Sequence, residues 1–373
     1  MKVGFYTSKR EYEEKMAEFN EAILGSIKNG VQTLGEEVKA FEKEIQDFAN
    51  VNHAIGVASG TDALVMASDI LGYKDGKEII TSPFTFLAST SCLAKHKGKP
   101  VFVDIDEDTF NIDTTKIEER ITKDTVGILP IHLFCQMANM DDVMDIAKRH
   151  NLSVLEDAAE GFGMQWKGKG DTYRHAGTIG DMGMYSFFPT KTLGAYGDGG
   201  MIVTNSDELA ETTKMLRVHG AKKKYHYEYI GYNSRLDNIQ AAVLRVKLKY
   251  INESIEKRNM IHDAYVERLK DIPEITLPKI KGDQIPVYYV FNITCEKRDE
   301  LNEYLKENGV GTSIYYPIPL HMQNCFSYLG YKKGDFPVAE RVSERILALP
   351  IYPELTMDEV DYVCEKIREF YRK

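Results

Sequence analysis

The alternation of apolar and polar positions divides the chain into three parts. Residues 10–50 have a helical pattern with a turn around Gly30 to Gly35, and apolar residues at 38, 41, 45 and 48 mark one buried helical face. From Val51 onward, short apolar runs typical of strands alternate with helical segments. This alternation predicts an α/β protein whose mostly parallel sheet is covered by helices on both faces.

Several strands and helices are predicted in this alternating part. The strands are HAIGVAS, EIITSP, PVFVDID, VGILPIHL and LSVLEDAAE, and the helices are TDALVMASDILG, FLASTSCLAKHKG and MDDVMDIAKRH. An apolar, aromatic run and a second strand-like run, MIVTN, lie on either side of Lys191. Because ligands of open α/β sheets bind at the carboxyl ends of the strands, residues that directly follow strands are candidate site residues.

The part beyond Asn205 is predicted to be more helical. DELAETTKMLRVHG is a helix, and residues 238–271, without Pro or Gly, form one long helix suited to linking two lobes. A smaller α+β lobe is expected from about Ile272, with strands PVYYVFNI, GTSIYYPI and ILALP and helices RDELNEYLKENG, AERVSERILA and MDEVDYVCEKIREFY. We therefore expect a large domain over residues 1–250 and a small domain over residues 251–373.

Composition and charge narrow the possible partners. The 373 residues carry a net charge of −10, which argues against general binding to nucleic acid or to anionic membranes. We find no run of apolar residues long enough to cross a bilayer and no signal-peptide pattern. The five cysteines are scattered without metal-ligand spacing. We therefore expect a cytoplasmic protein with reduced thiols, without a metal, that holds any anionic ligand in a local basic site.

Lys191 ends the aromatic run MYSFFPTK and precedes LGAYGDGG. The glycines at 194, 197, 199 and 200 are expected to take positive φ and to leave room for a bulky group beside the lysine. A lysine in such a dry position would lose part of its preference for the charged form. Its amine would then be a nucleophile toward carbonyl compounds, including the aldehyde of pyridoxal phosphate. The alternative is a solvated lysine in a glycine-rich hairpin.

Ser59, Gly60 and Thr61 lie where a predicted strand ends and a helix begins. Unpaired N–H groups at the positive end of a helix suit a phosphate, to which Thr61 could add a hydroxyl donor. Ser186 precedes Lys191 by five residues and could reach the same phosphate. The alternative interpretation is simple capping of the helix by a favoured N-cap residue.

Asp157 ends the predicted strand LSVLED. An aspartate there could pair with the pyridine nitrogen of a cofactor and keep it protonated, which makes the ring an electron sink. Small residues after it, including Ala159, would let a flat ring pack against the backbone, while Glu160 could reach a ring hydroxyl. Phe86 could stack on the opposite ring face. The alternative for Asp157 is a loop or capping carboxylate.

Six segments together resemble the DegT/DnrJ/EryC1/StrS sugar aminotransferases and follow the same order through nearly the whole chain. They are SGTDAL, PFTFLAST, EDAAEGFG, YSFFPTKTLGAYGDGGMIVTN, GYNSRLDNIQAAVL and YYPIPLHMQ. The resemblance implies a fold-type I pyridoxal-phosphate (PLP) enzyme, with a seven-stranded, mostly parallel sheet in the large domain and a smaller C-terminal α+β domain. It also implies a homodimer with active sites at the subunit interface.

The resemblance assigns roles to individual residues. Lys191 and Asp157 would be catalytic, the first by binding the cofactor covalently and the second at its pyridine nitrogen. The other cofactor contacts would be Gly60, Thr61 and Ser186 at the phosphate, Phe86 and Ala159 on the ring faces, Glu160 near the ring oxygen, and Asn233 at the neighbouring subunit's cofactor. Position 160 is often glutamine in such sequences. Substrate contacts would come from Arg235, Tyr316, His321 and His219.

The implied reaction transfers an amino group from L-glutamate to a nucleotide-linked keto sugar. GYNSRLD with YYPIPLHMQ resembles the group that acts at carbon 3, on a 3-keto-6-deoxyhexose or a 2-acetamido-3-keto-hexuronate carried by dTDP or UDP rather than GDP. Such amino sugars enter surface polysaccharides or glycosylated products. A 4-keto-sugar aminotransferase is the alternative enzyme.

Some of these sequence features also have interpretations without a role in binding or catalysis. His321 could be merely surface-exposed, and the charge run Lys222–Lys224 could be a solvated face rather than an attractor for a diphosphate. A regulatory protein is the alternative outside enzymes. It would need a DNA-binding module, for which the chain has no basic recognition helix.

Overall fold

A computed structural model describes residues 1–372 as α-helices and β-strands. The helices are α1 (Lys9–Glu14), α2 (Met16–Lys28), α3 (Glu36–Ala49), α4 (Gly60–Ile70), α5 (Ala88–Lys95), α6 (Met140–His150), α7 (Asp207–Leu216), α8 (Asn238–Lys249), α9 (Ile251–Leu269), α10 (Arg298–Glu307), α11 (Pro337–Arg345) and α12 (Met357–Tyr371). Short 3-10 helices cover Thr114–Lys116, Glu118–Arg120, Leu320–Met322 and Asn324–Leu329.

The strands form one large sheet and three small ones. They are β1 (His53–Val57), β2 (Glu78–Thr81), β3 (Lys99–Phe102), β4 (Thr125–Ile128), β5 (Ser153–Asp157), β6 (Gln165–Trp166), β7 (Arg174–His175), β8 (Met182–Ser186), β9 (Gly200–Thr204), β10 (Ala221–Lys223), β11 (His226–Tyr227), β12 (Ile275–Thr276), β13 (Gln284–Ile285), β14 (Phe291–Cys295) and β15 (Ile346–Leu349).

The large sheet has seven strands in the order β1-β9-β8-β5-β4-β2-β3. Strands β8, β5, β4, β2 and β3 are parallel, whereas β9 runs antiparallel to both of its neighbours, β1 and β8. The carboxyl ends of β5 and β8 therefore meet at one edge of the sheet. This mostly parallel α/β sheet confirms the predicted fold class.

Successive residues along the strands pack into two apolar layers, one on each face of the sheet. Ile79, Leu155 and Ile202 pack with Leu64 of α4 and Leu93 of α5. Their chain neighbours pack on the other face with α3 and α6; they are Ile80, Val154 and Val203. Burial on both faces explains why these strands are continuously apolar.

The C-terminal part forms a three-stranded antiparallel sheet, β12-β14-β15, with α9, α10 and α12 beside it. Tyr265 of α9 stacks on Phe291 of β14 with ring centroids 4.9 Å apart. Both rings belong to the same apolar layer as Leu64 and Leu155 of the large part. The core is therefore continuous, and the division into domains at residue 250 stays a prediction.

The start of the chain is tied to its C-terminal part. Val3 forms an isolated parallel bridge with Val310, in which the N–H of Val3 donates to Gly309 and the N–H of Gly311 donates back to Val3. Among the described residues, no helix is both long and apolar enough to cross a membrane.

The predicted long helix over residues 238–271 is wrong, because it breaks at Tyr250 (φ −107°, ψ 8°) between α8 and α9. The cause lies in tertiary contacts. The Tyr250 hydroxyl donates to Glu18 of α2, and the ammonium of Lys15 lies 4.9 Å from the centre of its ring. Because no Pro or Gly lies at the break, the sequence around Tyr250 does not reveal it.

Two predicted strands and one predicted helix of the C-terminal part are also wrong in their extent. PVYYVFNI is a strand only from Phe291, and GTSIYYPI contains no strand beyond an isolated bridge between Ser313 and Ala348. Tyr316 there has φ +58°, which interrupts an extended run. The helix predicted over AERVSERILA ends at Arg345, where β15 begins. The tyrosines of both segments therefore lie in loops and not in strands.

Candidate active site

A cavity of about 510 Å³ lies at the carboxyl ends of β5 and β8, beside the first turn of α4. It brings together nine residues that the sequence singled out: Gly60, Thr61, Phe86, Asp157, Ala159, Glu160, Ser186, Lys191 and Tyr316. Because these residues come from distant parts of the chain, their convergence on one cavity is a property of the fold rather than of any single motif.

Lys191 lies in the loop after β8 with its side chain 15% exposed. Its Nζ is 3.4 Å from Oε1 of Glu160 and 4.4 Å from the ring centre of Tyr289. The lysine loop is fixed from outside by Tyr6, whose hydroxyl donates to the carbonyl of Pro189 at 2.6 Å. The alternative of a solvated hairpin lysine is therefore wrong.

The charge state of Lys191 differs from the one expected. Burial lowers the pKa of its amine, but the carboxylates of Glu160 and Asp157 and the Tyr289 side chain act in the opposite direction, and the net shift is upward. The prediction of a weakened charged form is wrong because it left out these counter-charges. Lys191 must therefore give up a proton before it can act as a nucleophile.

The glycines after Lys191 do not serve the expected conformational purpose. None of the four at 194, 197, 199 and 200 is among the glycines with positive φ. Instead they let backbone segments approach closely. A Cβ on Gly200 would lie 2.3 Å from the carbonyl carbon of Ser59, and one on Gly194 would lie 2.4 Å from the carbonyl oxygen of Pro189. The space beside these two glycines is filled by the chain itself.

The first turn of α4 combines capping with an open anion site. Ser59 is the N-cap, and its Oγ accepts from the N–H of Asp62 at 3.1 Å, which confirms the capping interpretation for this residue. Gly60 and Thr61 line the cavity. A Cβ on Gly60 would meet Oγ of Ser186 at 3.0 Å, so that hydroxyl lies directly beside the helix end. N–H groups, hydroxyls and the helix dipole together fit a phosphate.

Asp157 ends β5 and is 2% exposed. Its Oδ1 accepts from the N–H of Ala159 at 3.0 Å, so the carboxylate does stabilise its own loop. It also lines the cavity together with Ala159. A buried acid at this position can pair with a protonated ring nitrogen, and such a pair stabilises both charges.

Glu160 is buried and holds three partners. Its Oε2 accepts from the N–H of Phe134 at 2.8 Å, and its Oε1 lies 3.4 Å from both the Lys191 amine and the Tyr316 hydroxyl. Burial, followed by the charge of Glu160, raises the pKa of Tyr316 well above its usual value. Glu160 is thus the counter-ion of the lysine, a role that the sequence did not predict.

Phe86 lies at the cavity with 62% of its surface exposed. A large apolar ring so open to solvent at a cavity wall is available for a ligand. Its predicted role in ring stacking stays a prediction.

Four predicted site residues do not line the cavity. Asn233, Arg235 and His219 belong to the segment around the exposed β10–β11 hairpin, where Arg235 donates to the side chain of Asn233. His321 is fully buried, with Nε2 2.9 Å from Glu340, so the surface-exposed alternative is wrong. A contact of His321 with substrate is likewise unsupported, because its ring packs against Phe336 instead.

Sequence reasoning missed Tyr289 and Thr190, which both line the cavity. Their side-chain oxygens lie 3.2 Å apart. Thr190 directly precedes Lys191 and carries no motif of its own. The sequence predicts a strand at Tyr289, whereas this residue lies in the loop before β14, and the adjacent tyrosines at 288 and 289 are the signal that could reveal it.

The site defines a class of protein before any comparison. A buried lysine, an acid at a strand end and a helix N-terminus with added hydroxyls are the three groups that PLP requires for its aldehyde, its pyridine nitrogen and its phosphate. The residues present therefore fit this cofactor. The fold and the site together are those of a PLP-dependent enzyme.

Comparison with known proteins identifies the family. The model of the DegT/DnrJ/EryC1/StrS aminotransferase family matches residues 13–368. The chain is 43% identical to a pleiotropic regulatory protein of Geobacillus stearothermophilus over 100% of this chain and 99% of that protein. It is 37% identical to the dTDP-3-amino-3,4,6-trideoxy-alpha-D-glucose transaminase of Streptomyces venezuelae, over 99% of this chain and 96% of the relative.

A third relative is the UDP-2-acetamido-2-deoxy-3-oxo-D-glucuronate aminotransferase of Pseudomonas aeruginosa, 37% identical over 91% of this chain and 92% of that enzyme. Among solved structures, DesV of S. venezuelae in complex with a ketimine intermediate matches with a TM-score of 0.96 at 37% identity, over 100% of this chain and 99% of that one. NtdA of Bacillus subtilis with bound pyridoxamine phosphate matches with a TM-score of 0.90 at 32% identity, over 100% and 86%.

The protein belongs to the DegT/DnrJ/EryC1/StrS aminotransferase family. It is a PLP-dependent aminotransferase, which confirms the predicted cofactor and enzyme class.

Gly200→Ala is expected to weaken PLP binding at least tenfold and to lower the free energy of unfolding by about 1–3 kcal/mol, because the new methyl must push the Ser59–Gly60 backbone away. Fluorescence titration and thermal unfolding measure the two effects. Gly25→Ala is the matched control, since nothing lies within 4 Å of its Cβ position. Unchanged PLP affinity in Gly200→Ala would contradict the close approach at this position.

Glu160→Gln is expected to lower the pKa of Lys191, because it removes the charge that favours the ammonium form. The rate at which protein stripped of cofactor captures PLP rises with the fraction of free amine. This rise should therefore begin at lower pH in the variant than in the wild type. Stopped-flow absorbance between pH 6 and 10 measures it, and a rise at the same pH would show that Glu160 does not control the lysine.

Proposed function

We propose that this aminotransferase moves the amino group of L-glutamate to a nucleotide-linked keto sugar, at carbon 3 of the sugar. The observation that carries the proposal is the convergence of Lys191, Asp157 and the first turn of α4 on one buried cavity. The sugar substrate is supported by relatives named for dTDP- and UDP-linked sugars, in which the amine is at carbon 3 or the keto group is at that position.

Each cavity residue has a proposed task. Gly60, Thr61 and Ser186 would hold the phosphate of PLP, and Asp157 would keep its ring nitrogen protonated. Phe86 and Ala159 would bind the two faces of the ring, and Glu160 would lie near the ring oxygen. When bound, PLP withdraws electrons from the donor's α-carbon so that its proton can leave.

Lys191 moves the protons. With its amine free, Lys191 would act as the general base toward the α-proton of the donor and as the general acid that returns a proton. It would serve in the same two roles, in reverse order, toward the keto sugar. A base must be unprotonated to accept a proton. Glu160, 3.4 Å away, stabilises the protonated amine and therefore influences the pH at which Lys191 can act as a base.

The carbon position rests on GYNSRLD and YYPIPLHMQ together with the names of the relatives. Tyr316 of the second segment lines the cavity beside Glu160, where it can contact substrate. A 3-keto-6-deoxyhexose is the first candidate and a 2-acetamido-3-keto-hexuronate the second, each carried by dTDP or UDP. A place in the synthesis of surface polysaccharide and a cytoplasmic location remain predictions.

A panel of nucleotide-linked 3-keto and 4-keto sugars, with glutamate as donor and 2-oxoglutarate as the measured product, tests the function. We expect turnover only with 3-keto sugars, and none in Lys191→Ala. After borohydride reduction, peptide mass spectrometry should detect the cofactor covalently attached to Lys191 in the wild type, and no such adduct in Lys191→Ala. Turnover restricted to 4-keto sugars would reject the carbon-3 assignment, and turnover by Lys191→Ala would reject the mechanism.

We further propose a homodimer in which Asn233 reaches the neighbouring subunit's cofactor and Arg235 faces the sugar nucleotide. The proposal is supported by the position of both residues outside their own cavity, on an exposed part of the chain. His219 and the lysines at 222–224 lie on the same exposed segment and could attract the diphosphate.

Co-expression of two inactive variants tests this sharing. Lys191→Ala and Asn233→Ala are each expected to be inactive. The purified mixed dimer should regain about half of the wild-type sites, because one of its two sites then contains neither substitution. Activity of the tagged, purified heterodimer is the measurement, and two differently tagged copies of Lys191→Ala are the control. A heterodimer without activity would place Asn233 at the site of its own subunit, and full activity of Asn233→Ala alone would place it outside the reaction.

A further inference from the structure

Tyr289 lies against the reacting amine, yet neither the sequence motifs nor the proposed mechanism uses it. Its ring centre is 4.4 Å from Nζ of Lys191, within the range of a cation–π interaction. Its hydroxyl lies 3.2 Å from Oγ1 of Thr190, the residue next to the lysine. The ring is therefore tied to the lysine loop at one end and covers the ammonium with its face.

The backbone behind Tyr289 is fixed by a buried charge. Arg258 of α9 is 3% exposed, and its guanidinium donates to the carbonyls of Tyr288 and Tyr289 at 3.3 Å and of Ile351 at 3.0 Å. All three bonds come from one nitrogen, Nη1, and they connect the Tyr289 backbone to α9 and to Ile351. Moving these carbonyls away would leave a buried charge with fewer partners, which favours the observed position of Tyr289.

The charged and polar groups around the amine divide into two sets. Glu160 and Asp157 supply negative charge from the end of β5 and the loop after it, and Tyr289 supplies a ring face from the loop before β14. The ring lies beside the ammonium as well, so it limits the directions in which the freed side chain can swing.

We propose that Tyr289 positions the amine of Lys191 whenever that amine is not bonded to the cofactor, by offering its ring face to the ammonium. The inference rests on the proposed role of Lys191. The released amine would then stay near the donor's α-carbon, instead of being drawn away by the carboxylate of Glu160. The ring, and not its hydroxyl, supplies this effect.

The matched pair Tyr289→Phe and Tyr289→Met separates ring from hydroxyl. Phenylalanine keeps the ring face, whereas methionine fills much of the volume without one. In protein stripped of cofactor, PLP capture should begin at a pH lower by about half a unit or more in Tyr289→Met, because the ammonium loses a cation–π partner. Tyr289→Phe should match the wild type. Thermal unfolding of both variants shows that each is folded.

The outcomes are distinct. Equal pH profiles in Tyr289→Met and the wild type would overturn this inference alone, and so would a profile in Tyr289→Phe that shifts as much as in Tyr289→Met. Absence of capture by the wild type would overturn both this inference and the proposed role of Lys191. Glu160→Gln, which removes a negative charge from beside the same amine, shows that the assay responds to the charge state of the lysine.

Discussion

The arrangement of this site depends on the pairing of one buried ammonium. A lysine amine shielded from water is stable only beside opposite charge, and Glu160 provides it at 3.4 Å. Glu160 is in turn held by the N–H of Phe134, so the position of the amine is set through the loop between β4 and α6. The backbone at Phe134 therefore helps to fix the ion pair, because moving Glu160 or Lys191 away would leave a buried charge without its counter-charge.

Around this pair, the sheet supplies positions and the loops supply chemistry. The adjacent carboxyl ends of β5 and β8 bring Asp157 and Ser186 to the same edge. Gly200 of β9 then lets the first turn of α4 lie directly against that edge. The small residue acts at a distance from the lysine, yet it sets where the end of the helix meets the hydroxyl of Ser186.

The sequence revealed the parts of the site that have local signals. Asp157, Lys191 and the first turn of α4 each adjoin an apolar strand, and for that reason could be found by pattern. Tyr289 could not be found in this way, because an apolar segment looks alike in a strand and in a loop packed over a cavity. The break at Tyr250 and the counter-charge on Lys191 depend on residues far away in sequence, which no local pattern contains. The glycines after Lys191 are also ambiguous in the sequence, because both a positive φ and a close backbone approach require glycine. The structure shows that close approach is the reason at Gly194 and Gly200.

The ties at the start of the chain bear on how the enzyme folds. Val3 pairs with Val310, and Tyr6 bonds to Pro189, so the native partner of Tyr6 is absent until about half of the chain has been synthesised, and that of Val3 until residue 310 has been added. Contacts over such long separations slow folding, because the entropy of closing large loops is lost before they form. The cavity takes its lining from residues as far apart as Ser59 and Tyr316, so it is complete only after that C-terminal segment has been synthesised and packed.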